Sequence, residues 1–482
     1  MKRFFLSNVL LLIFSNLLIK PIWIFGIDRW VQIHSGEHVY GEYFALFNVS
    51  ILFSFLLDFG IQNFNTTQIS RSPVLFRKYF PSLLLFKVML LFVYAVITLT
   101  FAFVSGYRGV QIEYLTFLLL NQIFLSFILF FRSNITAFQK FKLESLLSVL
   151  DKLLMVLFLS GFIIFPFLQE KLNMRVFILF QTLSYLLTMI FAYVSLIGFS
   201  PEFQLVFNKK WLLIILRNSM PFSILVFLMT IYYRLDGYLL ERILGAKASG
   251  EYAKSYRILD AINNFSYLLS VVLLPIFSKM AKNNKSASDL LRLSSNLILW
   301  IAIPALSFCI IHARVILDKL YPNLHGVRNP KQAMVFTLLV FSSLPISFVY
   351  VWGCDILAKH KISQLNKVVF FGVLINLFMN FILIPKYNIL GAAITFITTQ
   401  VLMSVGFAVL AEKFFNRAMI IRWSLYALFG LLFLKLSIHF DWSILTTSFL
   451  AILLLFLGLI ILGIANRNDF NKTFQLIGKM ER

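Results

Sequence analysis

The chain has 482 residues, of which 60% are hydrophobic and only 13% are charged. Soluble domains are about 25% charged, so this chain has about half the charge that a water-facing surface needs. The composition excludes a soluble multidomain enzyme and a disordered or fibrous chain, and it indicates an integral membrane protein with several spans. The net charge of +23 does not call for nucleic acid as a partner, because Lys and Arg accumulate in the cytoplasmic loops of membrane proteins.

Apolar windows of about 20 residues, the length that crosses about 30 Å of hydrocarbon, predict about fourteen spans. The longest predicted loop, near 312–332, has about 20 residues, so no extramembrane domain fits. The sequence therefore predicts an all-α polytopic membrane protein. The windows fall near 6–27, 41–63, 80–104, 113–133, 146–168, 174–199, 212–233, 252–277, 293–312, 333–356, 367–384, 389–411, 421–438 and 443–465.

Basic residues lie mainly on one side of these spans. With the N-terminus inside, the inner segments hold about 25 Lys and Arg and the outer segments about 12. This bias predicts an even number of spans with both termini in the cytoplasm. The stretch 1–25 begins like a signal peptide, with Lys2 and Arg3, but no small-residue cleavage site follows. We expect it to be retained as the first span.

Motifs that carry covalent chemistry are missing from the sequence. It contains no nucleotide-binding G-x-x-x-x-G-K-[ST], no H-E-x-x-H, no paired C-x-x-C and no G-x-S-x-G. The six His are scattered, and Cys309 and Cys354 match no disulfide or metal spacing. The sequence therefore predicts no catalytic residue, metal or cofactor, and it favours transport over catalysis.

A short motif occurs twice with the same place in the span order. Residues 36–43 read G-x-x-x-x-G-E-Y, and residues 245–252 repeat the pattern just before the eighth span. An offset of six spans gives both halves the same membrane orientation, which is typical of transporters whose substrate site lies between two halves. We expect the glycines to permit a tight turn at the membrane surface, and the tyrosines to place their rings in lipid and their hydroxyls in water.

Around this repeat the chain resembles the Wzx-type flippases of O-antigen and capsule repeat units, members of the multidrug/oligosaccharidyl-lipid/polysaccharide superfamily. The resemblance covers most of the chain, and its order and spacing are more specific than any single motif. It rests on 36–61 with Y-G-E-Y and L-D-F-G, on 219–236 with S-M-P-F and Y-R-L-D, on 250–275 with G-E-Y and L-P, and on 376–393 with N-L-F-M-N, I-P and G-A-A.

The resemblance implies two six-helix bundles, 1–205 and 206–415, related by a pseudo-two-fold axis along the membrane normal. It implies a further two-helix hairpin and cytoplasmic tail, 416–482. It also implies that an undecaprenyl-pyrophosphate-linked oligosaccharide moves from the cytoplasmic to the periplasmic leaflet of a bacterial inner membrane. Implied partners are that lipid-linked oligosaccharide, membrane lipids, and the polymerase and chain-length components of the pathway.

Basic residues inside predicted spans are candidates for binding the pyrophosphate, because an ion at mid-bilayer costs at least about 2.5–3.5 kcal/mol and usually faces a polar cavity. They are Lys20, Arg234, Lys254 and Arg257. Lys20 could instead snorkel to the interface, and Lys254 and Arg257 could form a local ion pair with Asp260. The resemblance favours Arg257, since the lipid II flippase has an essential Arg in the same place, three residues before an acid.

Acidic residues in predicted spans are candidates for coupling to an ion. Asp58 and Asp260 are these candidates, because a buried carboxyl group can titrate during a transport cycle. Arg234 and Asp236 could equally form a surface pair. Lys87 and Lys152 are expected to snorkel to the cytoplasmic interface, and Lys152 to pair with Asp151 there.

The predicted function is therefore a flippase that works by alternating access through a cationic cavity between the two bundles. A multidrug or organic-cation antiporter of the same superfamily is the main alternative, but it would need an acidic and aromatic cavity. An O-antigen polymerase is a further alternative, but it would need a large outer loop with catalytic Arg or His.

Overall fold

The computed structural model describes residues 14–59, 61, 75–138, 140–198, 209–322, 330–411, 414–440 and 442–464. Lys2, Arg3, Gly60 and the predicted tail beyond residue 464 lie outside these residues. The described part is helical and contains no strand. The helices are α1 Arg29–Leu52, α2 Leu75–Val104, α3 Val110–Ala137, α4 Phe141–Ile164, α5 Pro166–Gln169, α6 Met174–Ile197, α7 Lys209–Leu244, α8 Ala246–Lys282, α9 Ser288–Ile311, α10 Ala313–Leu320, α11 Pro330–Ala358, α12 Ile362–Tyr387, α13 Ile389–Leu410, α14 Arg417–His439 and α15 Ile444–Ile461.

Twelve helices among the described residues are long and apolar enough to cross a membrane. They begin with Phe80–Val104 and end with Ile444–Ile461. Upstream of them, helix runs from residue 14 into α1 and breaks at Gly36, whose φ of 76° is not helical. The two helices on either side of this break bring the number to fourteen, so the predicted polytopic fold class is confirmed.

The first helix is irregular where it carries a candidate cation. Lys20 precedes Pro21, and the next seven residues, Ile22–Asp28, form a π-helix that leads directly into α1. Proline removes one backbone donor and crowds the preceding turn, so the helix locally changes its hydrogen-bond register. Such irregular backbone is tolerated in a membrane where neighbouring protein surrounds it.

The chain forms two compact units, Met1–Lys254 and Ser255–Arg482. In the first unit α3 packs on α6, and α7 packs on α1. Gly237 of α7 permits this second contact, because a methyl group there would collide with Asn48 and Phe44 of α1. The segments 1–205, 206–415 and 416–482, which the family resemblance implies, stay a prediction.

The second unit is organised around α13, which packs on α11 and α12. A buried polar ladder lies between α12 and α13: the amide of Asn376 donates to Thr399 Oγ1 at 3.1 Å, and that of Asn380 donates to Asn376 Oδ1 at 3.1 Å. On the other side α9 packs on α11, α14 and α15. The bond from Asn376 to Thr399 is the interhelical one of the two, and such bonds contribute about 0.6 kcal/mol each in membrane proteins.

Candidate functional site

The two copies of the G-x-x-x-x-G-E-Y motif contact each other directly. A Cβ atom on Gly41 would collide with the carbonyl oxygen of Ala246, and a Cβ atom on Gly250 would collide with the carbonyl oxygen of Glu37. Glu37 and Ala246 follow the first glycine of each copy, so the contact is reciprocal. Such an exchange of equivalent contacts is the signature of a two-fold relation. The repeat predicted from the sequence is thus a packing unit of the structure.

The first glycine of each copy provides the turn that the sequence predicts. Gly36 has a φ of 76° and Gly245 a φ of 91°, the left-handed region that side chains with a Cβ seldom adopt. Each of these glycines interrupts the helix five residues before the second glycine of its copy, which makes the close backbone contact. The two glycines of the motif therefore have separate tasks, one in turning the chain and one in close approach.

The prediction for the motif's tyrosines is wrong. Tyr43 and Tyr252 are buried, at 1% and 0% exposure, and their hydroxyls do not reach water. The Tyr43 hydroxyl lies 3.5 Å from Gln181 Oε1, and that of Tyr252 donates to Asp236 Oδ2 at 3.2 Å. Buried tyrosine needs a partner for its hydroxyl, and both copies find one inside the protein rather than at the membrane surface.

The candidate Lys254 lies at this contact and is paired across it. Its ammonium is 2.5 Å from Glu37 Oε1, with the Lys254 side chain 1% exposed and that of Glu37 9% exposed. Lys247 Nζ lies 3.9 Å from the other oxygen of Glu37, Oε2. Glu37 of the first copy thus contacts Lys247 of the second copy and Lys254, two residues beyond it. Glu37 occupies a variable position of the motif, so the motif does not mark it as a candidate.

Arg257 and Asp260 form the local pair that was one alternative for this stretch of α8. Arg257 Nη1 lies 3.7 Å from Asp260 Oδ2, and the two side chains are 13% and 23% exposed. Their three-residue spacing places them on neighbouring turns of one helix face. Lys254, three residues before Arg257, is paired with Glu37 at the repeat contact.

The surface-pair interpretation of Arg234 and Asp236 is wrong for the acid. Asp236 is 1% exposed and accepts the Tyr252 hydroxyl, whereas Arg234 is half-buried. The hydrogen bond ties the end of α7 to the second copy of the repeat. Asp236 therefore contributes to the repeat contact through Tyr252.

Lys20 is half-buried and lies among charged residues of other helices in the first unit. Asp151 is the opposite charge in its surroundings, and Lys152 and Arg132 are like charges. The predicted pair of Asp151 with Lys152 is confirmed at 3.2 Å. Lys152 also donates to the Tyr185 hydroxyl at 2.8 Å, so it is held inside the helical bundle and does not snorkel, contrary to the prediction.

Lys87 does not snorkel, contrary to the prediction. Its side chain is 1% exposed, and its ammonium donates to the Leu57 carbonyl at 2.8 Å and to Ser126 Oγ at 2.6 Å. Asp58 Oδ1 lies 4.0 Å away, and the rings of Phe127 and Phe130 lie 5.7 and 5.6 Å away. The 3₁₀ turn Ser54–Leu57 that ends α1 frees the Leu57 carbonyl for this bond. Asp58, the candidate for coupling transport to an ion, therefore already has the Lys87 ammonium beside it.

The architecture matches known protein families and solved structures. The family model described as polysaccharide biosynthesis protein matches residues 5–281. A structure of the lipid II flippase MurJ in an inward closed conformation is 14% identical with a TM-score of 0.70, and the match covers 95% of this chain and 99% of that chain. An inward-facing multidrug resistance MATE family transporter of the MOP superfamily is 13% identical with a TM-score of 0.56, covering 82% of this chain and 93% of that chain.

A MOP superfamily transporter from Pyrococcus furiosus, described as having a binding pocket of reversed polarity, is 11% identical with a TM-score of 0.53. That match covers 84% of this chain and 93% of that chain. At these identities the likeness to solved structures shows the fold. Comparison with curated protein sequences gives no match.

Substituting either close-contact glycine should destabilise the fold. We expect Gly41→Ala and Gly250→Ala to lower the free energy of unfolding by about 1–3 kcal/mol, because the added methyl group meets backbone that must move. Gly161→Ala is the matched control: its added Cβ meets no atom within 4 Å. Thermal unfolding of the purified protein in detergent should show a lower Tm for the first two variants and an unchanged or higher Tm for the control. An equal Tm for all three would contradict the close packing.

Removing the buried ammonium should leave Asp58 and the Leu57 carbonyl without their cation. We expect Lys87→Met to lower the free energy of unfolding toward the lower end of about 3–5 kcal/mol, because Asp58 is 28% exposed and water screens part of its charge. Adding Asp58→Asn should recover part of the loss. Lys386→Met, at an exposed lysine, serves as the control in the same thermal unfolding assay. A Tm as high as that of the control would show that Lys87 is dispensable.

Proposed function

We propose a transport function for this chain, starting from the fact that it belongs to the family of polysaccharide biosynthesis proteins. The proposed cargo is an undecaprenyl-pyrophosphate-linked oligosaccharide, moved from the cytoplasmic to the periplasmic leaflet of a bacterial inner membrane. The repeat unit of an O-antigen or a capsule fits this description. Both chain termini are proposed to be cytoplasmic, with polymerase and chain-length components of the pathway as partners.

The observation that carries this proposal is the pair of cations on α8, a helix long and apolar enough to span a membrane. Lys254 is nearly fully buried, and Arg257 lies one helical turn further on and is 13% exposed. A pyrophosphate needs cationic partners to leave water, and Arg offers paired N–H donors while Lys offers a point charge. Each cation is paired with a carboxylate, so in this proposal the phosphate takes the place of that carboxylate beside the cation. This exchange favours an anionic cargo over the organic cation of a multidrug antiporter.

The Glu37–Lys254 pair suggests how binding and conformational change are linked. Breaking a buried pair leaves uncompensated charge and is strongly unfavourable unless another ion replaces the lost partner. In the proposed cycle the pyrophosphate takes the place of Glu37 beside Lys254, and the glycine contact between the two motif copies then separates. The cargo would offset the cost of breaking the Glu37–Lys254 pair. It would therefore bind the state with separated motif copies more tightly than the state with the contact formed, and this difference in affinity is what shifts a conformational equilibrium.

The remaining candidates have supporting roles in this scheme. Lys20 and Arg234 are proposed to contact the pyrophosphate or the sugars, and Asp58 and Asp260 to couple the cycle to an ion. Lys87 beside Asp58, and Arg257 beside Asp260, supply counter-charge that an entering ion or the cargo must compete with. Alternating access through the cationic cavity predicted from the sequence remains part of the proposal.

Neutralising Arg257 should reduce export. In a strain lacking its own exporter, we expect Arg257→Ala to lower surface polysaccharide by more than about tenfold, the effect of losing one charge-assisted contact of about 1.5–3 kcal/mol. Arg257→Lys should retain part of the activity. Arg175→Ala removes an exposed arginine paired with Glu113 and is the control. Polysaccharide display at wild-type level by Arg257→Ala, at equal protein abundance, would refute the role of Arg257.

Exchanging the charges of the Glu37–Lys254 pair should separate its structural role from its role in transport. Lys254→Glu alone places two carboxylates together and should lower the Tm. Combining it with Glu37→Lys restores an ion pair, so we expect the Tm to recover. Export should stay low, because the cation has moved from α8 to α1. Recovery of both Tm and export would show that the pair is only a structural contact.

A further inference from the structure

A cationic cavity lies in the second unit, apart from the residues proposed for transport. Its volume is about 780 Å³, within the range of about 300–1,000 Å³ that is usual for small-molecule sites. It lies between the turn that joins α8 to α9 and the turn that joins α11 to α12. The basic residues that line it are Lys282, Lys285, Lys359 and His360.

The charge of this cavity is only partly balanced. Lys359 Nζ is paired with Asp355 Oδ1 at 2.7 Å. Among the described residues, no carboxylate oxygen forms a pair within 4.0 Å of Lys282 or Lys285. Asp289, the next acid along the chain, is paired with Arg292 at 3.9 Å. Among the described residues, the Lys282 and Lys285 ammonium groups, both on exposed side chains, are therefore not in ion pairs.

Both turns are built to the same pattern, which fixes the shape of the cavity. Asn284 has a φ of 51° and His360 a φ of 56°, both left-handed. After each, an N–H reaches back five residues: Lys285 donates to the Met280 carbonyl at 3.0 Å, and Lys361 to the Ile356 carbonyl at 3.2 Å. This is the hydrogen-bond pattern of a Schellman helix end. The cavity walls are held by backbone bonds.

The basic residues of the cavity occupy different positions relative to the helix ends, and the helix dipole accounts for only one of them. Lys282 lies in the last turn of α8, where a cation complements the helix dipole. Lys285 and His360 lie beyond the helix ends, where this effect has largely decayed, and they line the cavity nonetheless. The hydroxyl of Ser278 is committed to the Leu274 carbonyl at 2.8 Å, so a ligand would be held by charge and not by this group.

We propose that this cavity binds a phosphate monoester or pyrophosphate group. Two ammonium groups that line one cavity and form no ion pair among the described residues match a ligand with two negative charges, and lysine binds phosphate as a point charge. The group can belong to a membrane lipid or to a soluble anion. The proposal does not depend on the transport function, because none of its residues is among those proposed for transport.

The test is direct binding of inorganic pyrophosphate to the purified full chain in detergent, by isothermal titration calorimetry. We expect saturable binding, weakened at least about tenfold in the Lys282→Gln/Lys285→Gln variant and retained in Lys282→Arg/Lys285→Arg. Lys171→Gln/Lys386→Gln removes the same charge from exposed lysines elsewhere and should bind like the wild type. Absent binding, or equal weakening in the control variant, would overturn the proposal.

A second arm identifies the source of the phosphate. The chain is placed in nanodiscs of phosphatidylcholine, with and without phosphatidic acid, which carries a phosphate monoester. If phosphatidic acid suppresses pyrophosphate binding in the wild type, the site takes a lipid headgroup. If pyrophosphate binds equally in both nanodiscs, the site takes a soluble anion. Pyrophosphate binding that is the same for wild type and Lys282→Gln/Lys285→Gln in both nanodiscs would contradict the site.

Discussion

A charge inside a hydrocarbon layer is tolerated only with a partner, and this constraint organises the protein. Lys254 is held by Glu37, Lys87 by the Leu57 carbonyl and the neighbouring Asp58, and Lys152 by Asp151. The contacts of Lys254 and Lys87 join chain segments that are distant in sequence. Asp151 and Lys152 are adjacent residues, and the Tyr185 hydroxyl is the group that ties Lys152 to another helix. Because the cost of an unpaired ion is several kcal/mol, these contacts are both constraints on the fold and the points at which a charged ligand could act.

The contact between the two motif copies shows how the structure places a buried charge beside its partner. Glycine at positions 41 and 250 lets two backbones meet, and the ion pair then closes beside them. Close backbone approach through small residues is a common basis of helix association in membranes, where lipid offers no hydrophobic drive. In the proposed cycle, an anion that competes with Glu37 for Lys254 releases this contact.

The sequence predicted the helical architecture and the repeat, because spans and motifs are local patterns. Glu37 was not found, since its partner Lys254 lies 217 residues away and only the packing of the motif copies brings them together. Lys87 was placed at the interface because snorkelling treats a helix on its own, whereas its ammonium bonds the end of another helix. The prediction that the hydroxyls of Tyr43 and Tyr252 lie in water is wrong for the same reason, because their partners are on other helices. Pairings across helices are tertiary information that one sequence does not contain.

The central claim, that an anionic cargo opens the contact between the two motif copies, can be measured as a distance. Spin labels at Val39 and Lys247, which are exposed in the two copies, would report it by double electron–electron resonance in nanodiscs. With undecaprenyl pyrophosphate added, the account predicts a second, longer distance population that is absent from the Lys254→Gln variant. One unchanged short distance, with and without the lipid, would contradict it.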